Sequence, residues 1–317
     1  MNLRVRTRQF FAVARLTALE AVRLPTALLL ILSIVGLSSL LPVLIAHKIG
    51  EGVRLVRDSA LALQWVGGLL LAGFLAVSTL RRELGRGTAA GILVKPMPRA
   101  LYFAAKYIGV LAPLLLYAWI CGLATLLLTR AAAENYLLDW WGAAPLWLAL
   151  PAALIPAALI NYFTRRPYPS TALLLLALTL PLAVAVSAIG GGDPAALPWA
   201  LAPTILLNAV SLAVLAALAL SLAVRAEAGA TLAGLGFLFL LGLVSDYMVG
   251  RHLAELPWLW PLYALIPNWQ LFWTADALAV GAGIPWSYVG AVSLYAVLYL
   301  AGALSWGMVS LRNLEMN

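Results

Sequence analysis

Long apolar runs separated by short polar gaps set the plan of this 317-residue chain. Eight of the runs reach about twenty residues, the length with which an α-helix crosses the ~30 Å hydrocarbon core of a bilayer. They lie at 26–46, 59–80, 107–129, 144–163, 171–190, 203–224, 228–246 and 287–309, and none has a Lys, Arg, Asp or Glu at its middle. Strands of a membrane β-barrel would instead alternate apolar and polar residues over about ten positions. The pattern predicts an all-α polytopic membrane protein with about eight transmembrane helices. Residues 1–317 then form one transmembrane domain, with no soluble domain, flexible linker or internal repeat.

Three stretches depart from this plan. Residues 1–24 precede the first span, and there Arg4, Arg8 and Arg15 recur at helical spacing with Arg23 close to their face, roughly opposite Phe10, Val13 and Thr17. The stretch can serve as a positive flank that orients the first span, or as an amphipathic helix lying along the cytoplasmic surface. Pro25 suits the first turn of the next helix, where a missing N–H costs nothing. Residues 255–286 are apolar enough to enter the membrane, yet Pro257, Pro261 and Pro267 break any continuous helix. A re-entrant or interfacial helical hairpin on the outer face is expected there. Residues 81–106 are the third departure and the most charged.

Charge decides the orientation. Of the 20 Lys and Arg residues, Lys48, Arg54, Arg57, Arg130 and Arg251 fall on one side of an eight-span arrangement and the other fifteen on the opposite side. The positive-inside rule places the richer side, and both termini with it, in the cytoplasm of a cell whose inner (plasma) membrane the chain crosses repeatedly. Trp65, Trp140, Trp141, Trp147, Trp199, Trp258, Trp260, Trp269, Trp273 and Trp286 all fall on the outer side, as a one-sided aromatic belt. The net charge of +8 follows sidedness, so no nucleic-acid partner is read from it. Only 10% of residues are charged, against about 25% in soluble domains. No cleavable signal peptide is expected, because the first apolar run follows an arginine-rich stretch and is long enough to span.

Several chemistries lack their residues. The lysines are Lys48, Lys95 and Lys106, and none follows a glycine, so no Walker A phosphate loop exists and the chain is not expected to hydrolyse ATP itself. No carboxylate sits at the middle of a span, which disfavours ion-coupled transport. The single Cys121 excludes a disulfide framework. His47 and His252 lie in outer loops far apart. Gly190-Gly191-Gly192-Asp193 matches the GxGD pattern of intramembrane aspartyl proteases, but a proton-sharing partner aspartate is missing from the spans, and a glycine-rich turn is the better reading. Asn161, at the end of the fourth span, can bond between helices or contact a substrate, while Arg165 and Arg166 form a positive flank.

Residues 81–106 have an internal order. Glu83 and Arg86 extend the second span, Gly85 and Gly87 let the chain turn, and Thr88 can cap a short helix over 89–94 that Pro96 and Pro98 stop. Arg99, Tyr102 and Lys106 then share one face of the helix entering the third span. Such a loop can bind anionic lipid headgroups. Alternatively, it can dock on a partner and pass a push into two spans at once.

The run Glu83-x-x-Arg86-Gly87-Thr88, then Leu93-x-Lys95-Pro96-x-x-Arg99, then Lys106, resembles the cytoplasmic loop of ABC-2 type permeases, the membrane subunits of type V ABC exporters. Arg15-Leu16-Thr17-x-x-Glu20-Ala21-x-Arg23 resembles that family's elbow helix, and the stretch after Glu255 is similar to its re-entrant helices before the final span. Most such permeases have six spans, so the extra pair here is expected around spans four and five. The resemblance implies a permease subunit that couples ATP hydrolysis by a separate nucleotide-binding subunit to export or movement of a substrate. Glu83, Arg86, Gly87, Thr88, Lys95, Pro96, Arg99 and Lys106 would meet that subunit through a coupling helix, with Arg15, Glu20 and Arg23 in the elbow. The partner would bring ATP and Mg, leaving no cofactor or metal in this chain. The permease would pair in the lipid bilayer as a homodimer, or as a heterodimer with a homologue. The alternatives are a stand-alone secondary transporter or channel and an intramembrane enzyme.

Overall fold

A computed structural model describes residues 3–45, 51–85, 97–132, 138–191, 197–253, 255–281 and 283–313. Apart from one isolated bridge pair, Ala132 with Leu138, the regular structure among these residues is helical. The longer elements are α1 (Leu3–Arg23), α2 (Pro25–Ile45), α3 (Gly52–Ala76), α4 (Arg99–Ala131), α5 (Trp140–Thr164), α6 (Tyr168–Gly190), α7 (Ala202–Ala223), α8 (Ala228–Met248) and α11 (Trp286–Arg312). Two short helices, α9 (Trp260–Leu265) and α10 (Ala275–Ala279), lie between α8 and α11. Eight helices, α2 to α8 and α11, are long and apolar enough to cross a membrane.

Two spans outrun the apolar runs that predicted them. The second continues beyond Ala76 through a π-turn, Val77–Arg81, and a final turn, Arg82–Gly85, so that Gly52–Leu84 is a rod of 33 residues. α4 has the same length. At 1.5 Å per residue each measures about 50 Å, well over the ~30 Å hydrocarbon core. The surplus lies partly at the shared end where the second span finishes and α4 begins, because charged side chains there find partners within the chain.

α4 is the hub, packed against α1, α2, α3, α5, α6, α7 and α11. Tyr102, Phe103, Leu114, Tyr117 and Ile120 bury their side chains completely along it. α5 and α6 pack on each other as a hairpin. Their connection turns through Arg165, a non-glycine residue at φ 58°, and Asn161 closes it by donating from Nδ2 to the Arg166 carbonyl. Asn161 thus serves its own turn rather than a neighbouring helix.

α1 buries Ala14, Thr17 and Ala21 and leaves Arg4, Arg6, Arg8, Arg15, Glu20 and Arg23 exposed, as its amphipathic spacing requires. Its contact with α4 is close at Gly109, where a Cβ would stand 2.5 Å from Thr17 Cβ and 2.8 Å from the Ala14 carbonyl oxygen. A backbone carbonyl inside a helix cannot swing aside. Gly109→Val should therefore lever α1 off α4 at a cost of about 1–3 kcal/mol. The expected readout is a lower thermal midpoint together with faster tryptic cleavage at Arg8 and Arg15, while the spans stay inserted.

Candidate functional site

Charged side chains meet where the second span ends and α4 begins. Lys106 is only 2% exposed, and its Nζ lies 2.6 Å from Glu83 Oε1 and 3.3 Å from the Thr79 carbonyl. Tyr102, one turn earlier on α4 and also buried, donates its hydroxyl to Glu83 Oε2, and the ammonium stands 5.7 Å from the centre of its ring. Both carboxylate oxygens of Glu83 therefore accept bonds, as a partly buried charge requires. Helical spacing explains the arrangement, since Tyr102 and Lys106 are four apart and face the same way. Arg99, half-buried and one turn before Tyr102, points elsewhere. Its Nη1 donates to the carbonyls of Arg312, at 2.8 Å, and Leu311, at 3.4 Å. A cation there satisfies orphan carbonyls at the C-terminus of α11 and opposes the helix dipole.

Glu83, Arg99 and Lys106 are thus brought together at one end of the bundle, tied to spans two, three and eight. Glu83 and Lys106 face each other rather than outward. Arg86, Gly87, Thr88, Lys95 and Pro96 lie outside the described residues, as do the expected coupling helix, His47 and Asp193. Arg15, Glu20 and Arg23 are exposed on α1.

At the opposite end the chain between α8 and α11 folds back onto the helices. The segment reaches α3, α7, α8 and α11 through named bonds. Arg57 Nη2 donates to the Ala275 carbonyl at 3.2 Å, and the hydroxyls of Thr204 and Thr274 meet at 2.8 Å. Trp269 is completely buried, in edge contact with Trp65 and tilted against Phe239 and Phe272, with Trp65 stacked on Trp273 at 5.5 Å. Tyr288 and Tyr299 donate to the Leu271 and Leu265 carbonyls, and the Tyr295 hydroxyl accepts from the Asn268 amide. These carbonyls and this amide have no helical ladder of their own, so the tyrosines replace it. Asn268 also donates to the Tyr263 hydroxyl, which donates to Asp246. Burial, helped by the Asp246 carboxylate, pushes the Tyr263 hydroxyl above its ordinary pKa.

The tyrosine stripe is missing from the sequence reading, although Tyr288, Tyr295 and Tyr299 recur at i, i+7 and i+11 on one face of the last span. The aromatic belt also divides. Trp140, Trp141, Trp199, Trp258, Trp260 and Trp286 are exposed, whereas Trp65 and Trp269 belong to the core of this folded-back segment. Among the described residues no group of three or more His, Cys, Asp or Glu stands ready for a metal ion. Compared with protein-family models, with curated proteins and with solved structures, the chain finds no match in any of the three.

Proposed function

We propose that the chain is the membrane-spanning permease subunit of an ABC transporter of the ABC-2 type. In this reading a separate ATPase docks on residues 86–96, and its ATP-driven movement enters the bundle through spans two and three. One observation carries the reading. Two 33-residue rods end side by side at the Glu83–Lys106 pair, so the loop that resembles a coupling segment stands on the two helices best built to transmit a push. Glu83, Tyr102 and Lys106 frame that loop, and Arg99 joins it to the last span. Arg86 and Lys95 are then the residues left to meet the partner. The basic end is cytoplasmic, α1 is the elbow, and the folded-back segment closes the outer end as the re-entrant hairpin. The chain pairs with a second permease to enclose the path.

Because Arg99 also caps α11, reversing its charge would test the fold as much as the docking. The informative variant is Arg86→Glu with Lys95→Glu in the co-expressed complex. Loss of ATPase co-purification with an unchanged thermal midpoint is expected, and retention of the complex would remove residues 86–96 from the interface.

A stand-alone secondary transporter or channel is the second reading. Gln64 Oε1 and Asn208 Oδ1 favour it, since both are buried within spans and have no hydrogen-bond partner among the described residues. Transport by the chain alone under an ion gradient would support this reading.

A further inference from the structure

The π-turn in the second span has a brace across it. Arg82 N–H donates to the Val77 carbonyl, five residues back, where an α-helix would reach four. The widened ladder is covered by side chains. The hydroxyls of Thr79 and Ser78 both donate to the Leu75 carbonyl, at 2.6 and 3.2 Å. Lys106 Nζ bonds the Thr79 carbonyl inside the turn and, with the same ammonium, Glu83 Oε1 beyond it. One side chain from α4 thus fixes the distance between a point within the turn and a point after it.

A π-turn holds one residue more than the α-helical path it replaces. Everything after it is turned back by about 100° and drawn back by about 1.5 Å relative to a continuous α-helix. Closing the turn would advance Arg82, Glu83 and the loop that follows by that amount. We infer that Val77–Arg81 is a two-state register switch in the second span, and that Lys106 is the positioning residue that holds it in the π state. Release of the ammonium lets the ladder close to α, and the end of the span rotates as it does so. Use of this rotation in coupling rests on the permease reading, but the switch itself does not.

The burial pattern supplies a test that needs no partner. Arg82 is exposed and Arg81 is half-buried. In the advanced register each residue takes the bearing of its successor, so position 81 turns outward and position 82 turns toward the place of Glu83. Single cysteines at 81 or 82 are labelled with a maleimide in the purified full chain, where the native Cys121 is buried and gives a low background. The pair Lys106→Met with Glu83→Gln removes the brace without leaving a bare charge. Labelling should then fall several-fold at 82 and rise at 81. Lys106→Arg, which retains donors for both acceptors, should keep the original pattern. An unchanged pattern in the double variant, or a rise at both positions together, would overturn the switch and leave the pair as a stabiliser of the fold only. Neither of those outcomes bears on ATPase binding, so the switch and the permease reading fail separately.

Discussion

Lys106→Met, with Glu83 left in place, should destabilise the chain by about 3–5 kcal/mol. The carboxylate accepts from Lys106 and Tyr102, and its side chain is 18% exposed. Without the ammonium, the partly buried carboxylate loses a cation at 2.6 Å and keeps the neutral Tyr102 hydroxyl. Partial solvent access places the loss toward the lower end of that range. Glu83→Gln combined with Lys106→Met should recover most of it, because a neutral amide leaves no partly buried charge behind in either register of the span. Two coupled sites should therefore show an interaction energy well beyond the few tenths expected of independent positions. Thermal or denaturant unfolding in detergent of the two single variants and the double variant measures it. Losses in the two single variants that simply add in the double variant would show that the pair contributes nothing as a pair.

At the other end, Trp269→Ala carries the second large effect. Its ring is fully buried among Trp65, Phe239 and Phe272, and its Nε1 donates to the Leu238 carbonyl at 3.4 Å. Truncating a buried tryptophan costs about 3–5 kcal/mol through lost burial and the cavity left behind. The damage should concentrate between α8 and α11. That segment has only short helices and depends on side-chain bonds from α3, α7, α8 and α11. Hydrogen exchange should rise there first, with α4 protected. Trp258→Ala is the control: at 72% exposure its removal should change stability by no more than about 0.5 kcal/mol. Equal effects from both tryptophans would mean that the segment is held by something other than its core ring.

The spans were legible because they need only a local signal, about twenty apolar residues without a charge. Both the number of long apolar helices and the proline-broken segment after α8 follow from that level of reading. The clasp did not. Charges at helical spacing, such as Arg99 and Lys106, read as an outward face, because nothing local marks a partner 23 residues away, or carbonyls more than 200 residues away on the last span. The π-turn is equally hidden, since no residue in Val77–Arg81 announces it and the ammonium that bonds its Thr79 carbonyl comes from another helix. Trp65 shows the same limit from the apolar side. By position it belongs to an interfacial belt, yet its ring stacks on Trp273 and its Nε1 donates to Ser211 at 2.7 Å. Long-range pairing, rather than composition, decides which charged and aromatic residues turn inward.

The proposal that the chain works with a separate ATPase meets its most direct test in one reconstitution. The full chain is co-expressed with a candidate ATP-binding-cassette ATPase, purified through a tag on the chain, and placed in lipid nanodiscs for measurement of ATP hydrolysis. A stable complex is predicted, with hydrolysis that depends on the permease and falls when Arg86 and Lys95 are reversed in charge. If no such ATPase co-purifies, while the chain alone in vesicles moves solute down or against an ion gradient, the permease reading is contradicted.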